Sequence, residues 1–259
     1  MGRRLVELVS EAPDLELAAA LERTGHPSLG QDAAVLAGKA PSGVPLTDRL
    51  ADDVRLDVLI DFSSPSASLA LLETCVARKI PIVVGTTGFE PDQKAKLDTA
   101  AGTIPVFVAS NFSKAVNLLM TLTSLTAKVL GDQADIEIVE RHHHFKKDAP
   151  SGTALSLAEA AAEAIGQRDF VHGRQGQVGE RPRGEIGLHA LRCGDNPGEH
   201  TVVFGLMGEC LELSHRALNR DGFCRGALDA ARFLAGKPPG LYRMADLLAG
   251  FLPSAGEHP

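Results

Sequence analysis

Three short apolar runs, at 57–62 (DVLIDF), 80–84 (IPIVV) and 105–109 (PVFVA), recur along the first half of the chain with helical stretches between them. Runs of this length suit strands. A strand–helix–strand repeat folds as a parallel sheet with helices on both faces. Each run ends on small, polar or glycine residues: Asp61-Phe62-Ser63, Gly85-Thr86-Thr87-Gly88 and Ser110-Asn111-Phe112-Ser113. In open α/β sheets ligands bind in the crevice outside the carboxyl ends of the strands, so these endings are the first candidate binding positions. Glycine and serine also make tight turns with no ligand at all.

The elements around this repeat follow from local signals. Leu5, Val6, Leu8 and Val9 share one face of a helix over 3–9, which Pro13 ends, and 15–21 (LELAAAL) reads as a short buried strand. A polar stretch over 24–48 reads as loop with a brief strand. Ser64 caps a helix with Pro65 in its first turn, running through 71–78, and another helix covers 92–101. The texture changes after Asn111. A single helix with an apolar stripe spans 114–130 and stops at Gly131. Strands follow at 135–140, 185–191, 201–206 and 210–215, with a helix over 153–165 among them. The short Met207-Gly208-Glu209 link makes the last two strands an antiparallel hairpin. One face of this mixed, largely antiparallel sheet is expected to pack on helices 114–130 and 153–165. The other is expected to meet a partner subunit, since an apolar sheet face is not left to water. Helices over 223–234 and 241–248 return to the first domain.

Composition narrows the partners. An apolar content of 44% and a charged content of 23% are those of a water-soluble globular protein. The longest apolar runs are far too short to span a bilayer. A net charge of −7 argues against nucleic acid as a partner. No charged-then-apolar leader opens the chain, which points to the cytoplasm. The four cysteines, Cys75, Cys193, Cys210 and Cys224, are scattered without a CxxC pair; they read as reduced thiols filling the core.

The densest chemistry lies in Glu140-Arg141-His142-His143-His144-Phe145-Lys146-Lys147-Asp148-Ala149-Pro150-Ser151-Gly152-Thr153. On a continuing strand His142 and His144 share one side and His143 the other. Ser151, Gly152 and Thr153 open a helix, whose first-turn N–H groups bind carboxylate or phosphate, and Gly152 lets the ligand close to the backbone. A lysine adds charge, and a histidine delivers a proton near neutral pH. A zinc site needs spaced ligands and often cysteine; that spacing is missing here, so no metal is expected. Elsewhere, Glu22 and Arg23 end the 15–21 strand, where an acid can meet ribose hydroxyls and an arginine a 2′-phosphate; on the residues alone a solvated charge pair at a strand end is the favoured reading. Arg174, Gly176, Gly179-Glu180-Arg181, Arg192-Cys193-Gly194-Asp195 and Gly198-Glu199-His200 read first as turns, ion pairs and structural residues.

Together these stretches resemble the 4-hydroxy-tetrahydrodipicolinate reductase (dihydrodipicolinate reductase) family. The resemblance rests on Glu140-Arg141-His142-His143, Lys146, Asp148 to Ala154, Gly85 to Gly88, Asn111-Phe112-Ser113 and Asp61-Phe62-Ser63. Gly179-Glu180-Arg181, Gly194-Asp195 and Gly198-Glu199-His200 extend it. It implies a homotetramer of two-domain chains: a Rossmann-like dinucleotide domain over 1–113 and 220–259, and a substrate-binding and tetramerisation domain over 114–219. It implies hydride transfer from NADH or NADPH to a small cyclic dicarboxylate in lysine and diaminopimelate biosynthesis. His142 would donate the proton and Lys146 assist. His143, Ser151, Gly152 and Thr153 would hold the substrate. Met1, Glu22, Arg23, Gly85, Thr86, Thr87, Ala109, Ser110, Asn111 and Phe112 would line the cofactor. The family opens on a strand and a GxxGRMG turn, of which Met1-Gly2-Arg3 resembles only the end. The first strand is therefore expected to be missing from this chain, and weak cofactor binding is expected of it. The competing readings are another two-domain nicotinamide dehydrogenase of amino-acid metabolism, and a cofactor-deficient subunit that only binds a dicarboxylate.

Overall fold

The structure is a computed structural model that describes residues 1–167 and 169–251. It divides into two compact units, one built from Met1–Phe112 and the chain from Phe223 onward, the other from Ser113–Gly222.

In the first unit, α1 (Gly2–Glu11) buries Leu5 and Leu8. Strand β1 (Ala20–Leu21) pairs in parallel with β2 (Leu46–Thr47). The 15–21 run thus contributes only its last two residues to a ladder. Its partner is just as short, and Leu15 packs on the core without pairing. Within the stretch read as loop, Asp32 caps a short helix α2 (Ala33–Leu36) by accepting from the Ala34 and Val35 N–H groups. There follow β3 (Leu59–Asp61), α3 (Pro65–Arg78), β4 (Ile82–Val84), α4 (Pro91–Ala101) and β5 (Pro105–Val108). Ser64 does precede α3, but its hydroxyl turns to Ser66 Oγ at 3.4 Å rather than capping the helix. Strands β3, β4 and β5 pair in parallel, so their carboxyl ends and the loops after them lie along one edge of the sheet. Among the described residues no ladder joins them to β1 and β2.

The second unit opens on α5 (Lys114–Leu130), capped by Ser113 and stopped by Gly131 at φ 57°. After it come β6 (Asp135–His142), α6 (Gly152–Ile165), β7 (Asp169–His172), β8 (Glu185–Arg192), β9 (Glu199–Leu206) and β10 (Glu209–Arg216). They form one sheet in the order β10-β9-β6-β8-β7. It is mixed, as expected, and its pairings divide evenly. Strand β9 runs antiparallel to β10 and β6, while β6, β8 and the unanticipated β7 run parallel. The hairpin turns on Met207 and Gly208, with Gly208 at φ 93°.

Strand alternation points Ile136, Ile138, Ile186, Leu188, Val202 and Phe204 at α5 and α6, where they meet Leu119, Ala127, Leu157, Ala158 and Ala161. The alanines of α6 let its backbone come close to the sheet. The opposite face is not the uncovered apolar surface expected. The same alternation places Asp135, Glu137 and Arg141 there, and arginines fold over it. Arg174 donates to both Glu137 oxygens (3.1 and 2.8 Å) and to Glu185 (2.8 Å), and Arg181 to Glu137 (2.9 Å) and Asp135 (2.7 Å). Burial works against the Glu137 charge, but hydrogen bonds from Arg174, His189 and Arg181 outweigh it and hold its pKa at about 2.

The chain then returns to the first unit through α7 (Asp221–Leu234), β11 (Gly240–Tyr242) and α8 (Met244–Ala249). The 241–248 segment is therefore a strand followed by a helix. Its first residues extend the parallel sheet beside β5, giving the order β11-β5-β4-β3. Phe107, Phe112, Leu228, Leu234 and Leu247 share the resulting core with Leu5 and Leu8. Of the thiols, Cys75 and Cys224 are core residues but Cys193 and Cys210 are exposed, so only half of them fill the interior. Among the described residues no helix is long and apolar enough to cross a membrane.

Candidate active site

Inward-facing positions of β6 alternate Ile136, Ile138, Glu140, His142, so a carboxylate and an imidazole follow two isoleucines on the helix-covered face. The strand ends at His142. His143 N–H donates to the Asn196 carbonyl (2.8 Å), His144 N–H to that of Gly194 (3.1 Å), and Lys146 N–H closes a turn onto the His143 carbonyl (3.1 Å). Alternation thus stops before His144, which lies exposed against the Phe145 ring at 3.7 Å. The Nδ1 of His143 is buried without a hydrogen-bond partner among the described residues.

Glu140 is 1% exposed, yet it is charged. Burial pushes its pKa up; hydrogen bonds from Arg192 and His142 and the Ser151 N–H push it down further, and the net shift is downward. His142, also buried, sets its Nδ1 2.6 Å from Glu140 Oε2. A carboxylate at Nδ1 holds a proton on that nitrogen and leaves Nε2 for other work. Beside Nε2 lies Gly198, at φ 149°, where a Cβ would come within 2.9 Å of the nitrogen. Glycine there serves both an unusual backbone and the space around the imidazole.

Ser151 caps α6 by accepting the Ala154 N–H at 3.2 Å, and its own N–H donates to Glu140 Oε1 at 3.0 Å. Its hydroxyl also hydrogen-bonds His200 Nε2 at 3.0 Å. His200 stands edge-on to His142, ring centres 5.2 Å apart. Burial, reinforced by the neighbouring His142, lowers its pKa to about 4, so it stays neutral near pH 7. Gly152, the first residue of α6, is exposed; a Cβ there would meet nothing within 4 Å, and its φ is ordinary. Among the described residues nothing requires glycine here, so the open backbone at a positive helix end suits an anion from outside. Lys146 reaches Asp148 at 2.9 Å and is close enough to His200 to lower its proton affinity.

Reading by residue type missed how Glu140, Arg192, Gly198 and His200 converge. Glu140 was legible only as an acidic neighbour of the histidines. Arg192 and His200 come from β8 and β9, and their residue types alone read as turns, ion pairs and structural positions.

In the first unit, the candidates lie at the carboxyl ends of β1, β4 and β5. Glu22 and Arg23 are exposed, with the Glu22 carboxylate accepting the Arg23 N–H at 2.8 Å. Gly85 is not in the left-handed region; a Cβ there would overlap the Phe62 ring, which is the physical reason for glycine. The Thr86 hydroxyl is committed to the fold, donating to Asp61 (2.9 Å) and accepting the Ser63 N–H (2.9 Å). Thr87 and Ser110 are exposed, Asn111 is half-buried and Ala109 is buried. Phe112 is a core residue stacked on Phe107 at 5.9 Å, so only its backbone is left for a ligand. Met1 precedes α1, whose first turn carries no acid and where a Cβ on Gly2 would meet open space. A bare helix N-terminus with Arg3 beside it, exposed Glu22 and Arg23, and backbone groups at adjacent strand ends fit a nicotinamide dinucleotide.

Comparison with known proteins identifies the family. Residues 1–112 match the family model for the N-terminus of dihydrodipicolinate reductase, and residues 115–248 the model for its C-terminus. A 4-hydroxy-tetrahydrodipicolinate reductase of Anaeromyxobacter dehalogenans is 48% identical over 252 residues, 96% of this chain and 93% of that protein. One from Hahella chejuensis is 49% identical over 254 residues, 96% of this chain and 94% of that protein. Among solved structures, dipicolinate-bound dihydrodipicolinate reductase from a Paenisporosarcina species superposes with a TM-score of 0.74 at 25% identity, covering 95% of this chain and 94% of that one. An amine dehydrogenase from Mycobacterium smegmatis shares the fold at 12% identity and a TM-score of 0.62. With both halves of the chain matched, this protein belongs to the dihydrodipicolinate reductase family.

Proposed function

We propose that this chain reduces 4-hydroxy-tetrahydrodipicolinate to tetrahydrodipicolinate with NADH or NADPH, in the cytoplasmic synthesis of diaminopimelate and lysine. The observation that carries the reading is the pairing of His142, oriented by Glu140, with the open N-terminus of α6 at Gly152. The nicotinamide supplies a hydride when bound. Met1, Glu22, Arg23, Gly85 to Thr87 and Ala109 to Phe112 hold the nucleotide, chiefly through backbone groups at the strand ends. In the second unit Gly152 and Thr153 receive a substrate carboxylate at the helix N-terminus, with Ser151 shaping that turn and His143 alongside. The ring accepts a hydride and one proton and loses its 4-hydroxyl as water; His142 donates that proton from Nε2 and keeps its Nδ1–H on Glu140. Lys146 offsets the substrate's negative charge. Neutral His200 packs the site without adding a second cation beside His142.

The test is NAD(P)H oxidation coupled to enzymatic generation of the unstable substrate. Oxidation that depends on that substrate is expected, and a chain that binds the dicarboxylate but never oxidises NAD(P)H overturns the reading. Gly152→Ala places a methyl group where the carboxylate approaches. It is expected to raise KM about tenfold, roughly 1.4 kcal/mol of lost binding, with kcat changed little. An unchanged KM removes Gly152 from the carboxylate site.

The functional assembly is a homotetramer in this reading. What supports it is an exposed apolar stripe on α5, Leu118, Leu122, Leu125 and Val129, 38–69% exposed, beside the long edge strand β10. Such surfaces are seldom left to water. Sedimentation of the purified chain reads the state directly.

A further inference from the structure

Glu140 is the point where the proton donor and the anion cradle meet. Its Oε2 takes His142 Nδ1 at 2.6 Å and an Arg192 nitrogen at 2.8 Å; its Oε1 takes the Ser151 N–H at 3.0 Å and the other Arg192 nitrogen at 2.7 Å. Each oxygen therefore has two donors, the condition under which a buried carboxylate is tolerated. Two of the four bonds go to the arginine that balances its charge. The other two go to the imidazole and to the first turn of α6, so one carboxylate joins both.

We infer that Glu140 is the positioning residue of this site: it keeps one proton of His142 on Nδ1, so that the second proton, taken up from solvent, sits on Nε2 and is the one delivered, and it holds that imidazole in register with the N-terminus of α6. The inference rests on His142 being the proton donor. Free imidazole carries its proton on either nitrogen, and the group accepting at one nitrogen decides which form dominates. In the hydrolytic triads the orienting carboxylate plays this part, and losing it costs orders of magnitude in turnover through the wrong tautomer. Here Arg192 keeps Glu140 ionised, and Arg192 is itself anchored by donation to the Asp148 carbonyl at 2.6 Å. The charged and titratable groups around His142 are Glu140 on its own strand, Arg192 on β8, neutral His200 on β9 with His215 behind it, and Lys146 paired to Asp148 in the loop. Of these only Glu140 supports the protonated imidazole by direct contact.

The experiment uses the full chain labelled with 15N-histidine, with the His142 ring signals identified by their loss in His142→Gln. Neutral His142 in the wild-type chain is expected to carry its proton on Nδ1; finding it on Nε2 overturns the proposal without recourse to any variant of Glu140. In Glu140→Gln the His142 ring is expected to lose its single Nδ1–H form and show a mixture of the two tautomers, and kcat to drop about 100-fold with KM within about threefold. Glu140→Asp, which keeps the charge, is expected to restore the Nδ1–H form and part of kcat. A folded Glu140→Gln chain with undiminished kcat overturns the proposal. Undiminished turnover by His142→Gln would instead defeat the proton-donor reading beneath it, so the two failures are distinguishable.

Discussion

His142→Gln is expected to lower kcat by about 10²–10⁴-fold, the usual span for a lost general acid, while affinity for a dicarboxylate analogue and for NADH changes no more than about threefold. The substitution keeps a planar polar side chain, and its amide can still hydrogen-bond Glu140, so the Ser151 and Arg192 contacts to that carboxylate have no reason to move. The amide has no proton to give at neutral pH. The loss therefore falls on the transition state rather than on binding, and it appears in kcat and kcat/KM together. Steady-state kinetics and calorimetric titration of the same preparation check both halves. Equal losses in turnover and in ligand binding would show His142 to be a binding or structural residue instead.

Gly226→Ala is expected to cost the first unit about 3 kcal/mol or more and to lower its Tm by roughly 5–10 °C. Gly226 lies inside α7, where a Cβ would overlap the carbonyl oxygen of Phe112. The obstacle is backbone, so no side chain can rotate out of the way. The helix must lift, or the Phe112 segment must shift with the ring that stacks on Phe107. Because Ala109 to Phe112 form the ending of β5, NADH affinity is expected to weaken in the same variant while dicarboxylate affinity in the second unit holds. Gly152→Ala is the natural control: also a glycine-to-alanine change in a helix, it meets only open space and should leave the Tm within about a degree. A melting curve for Gly226→Ala that matches wild type would mean α7 is not packed against Phe112 in solution.

The local signals of the sequence were enough for the parallel sheet, for the helices from Gly2, Pro65, Lys114 and Gly152, and for the β9–β10 hairpin. Each depends on neighbours within a few residues: apolar spacing, a proline in the first turn, a glycine stop. The errors lie where a local signal competed with a distant one. The 241–248 segment has helical spacing, but its first residues pair with β5 across more than a hundred residues of chain. Strand β7 is short and half-exposed, and exists because β8 offers it an edge. The face of the second sheet expected to be apolar is charged because Asp135, Glu137 and Arg141 fall on the outward phase of β6, where arginines from the 174–181 segment reach them.

The candidate site divides in the same way. His142, Lys146 and Ser151 to Thr153 fall within one strand–turn–helix segment, so their association follows from chain continuity and the sequence by itself determined it. Only the tertiary structure decided what surrounds them. Parallel pairing sets Arg192 opposite His142, and antiparallel pairing sets His200 opposite Glu140. A slip of one residue in either ladder would send these side chains to the other face of the sheet. The proposed proton donor is therefore written in the chain, but its orientation depends on the ladder register that seats Glu140 beneath Arg192 and Ser151.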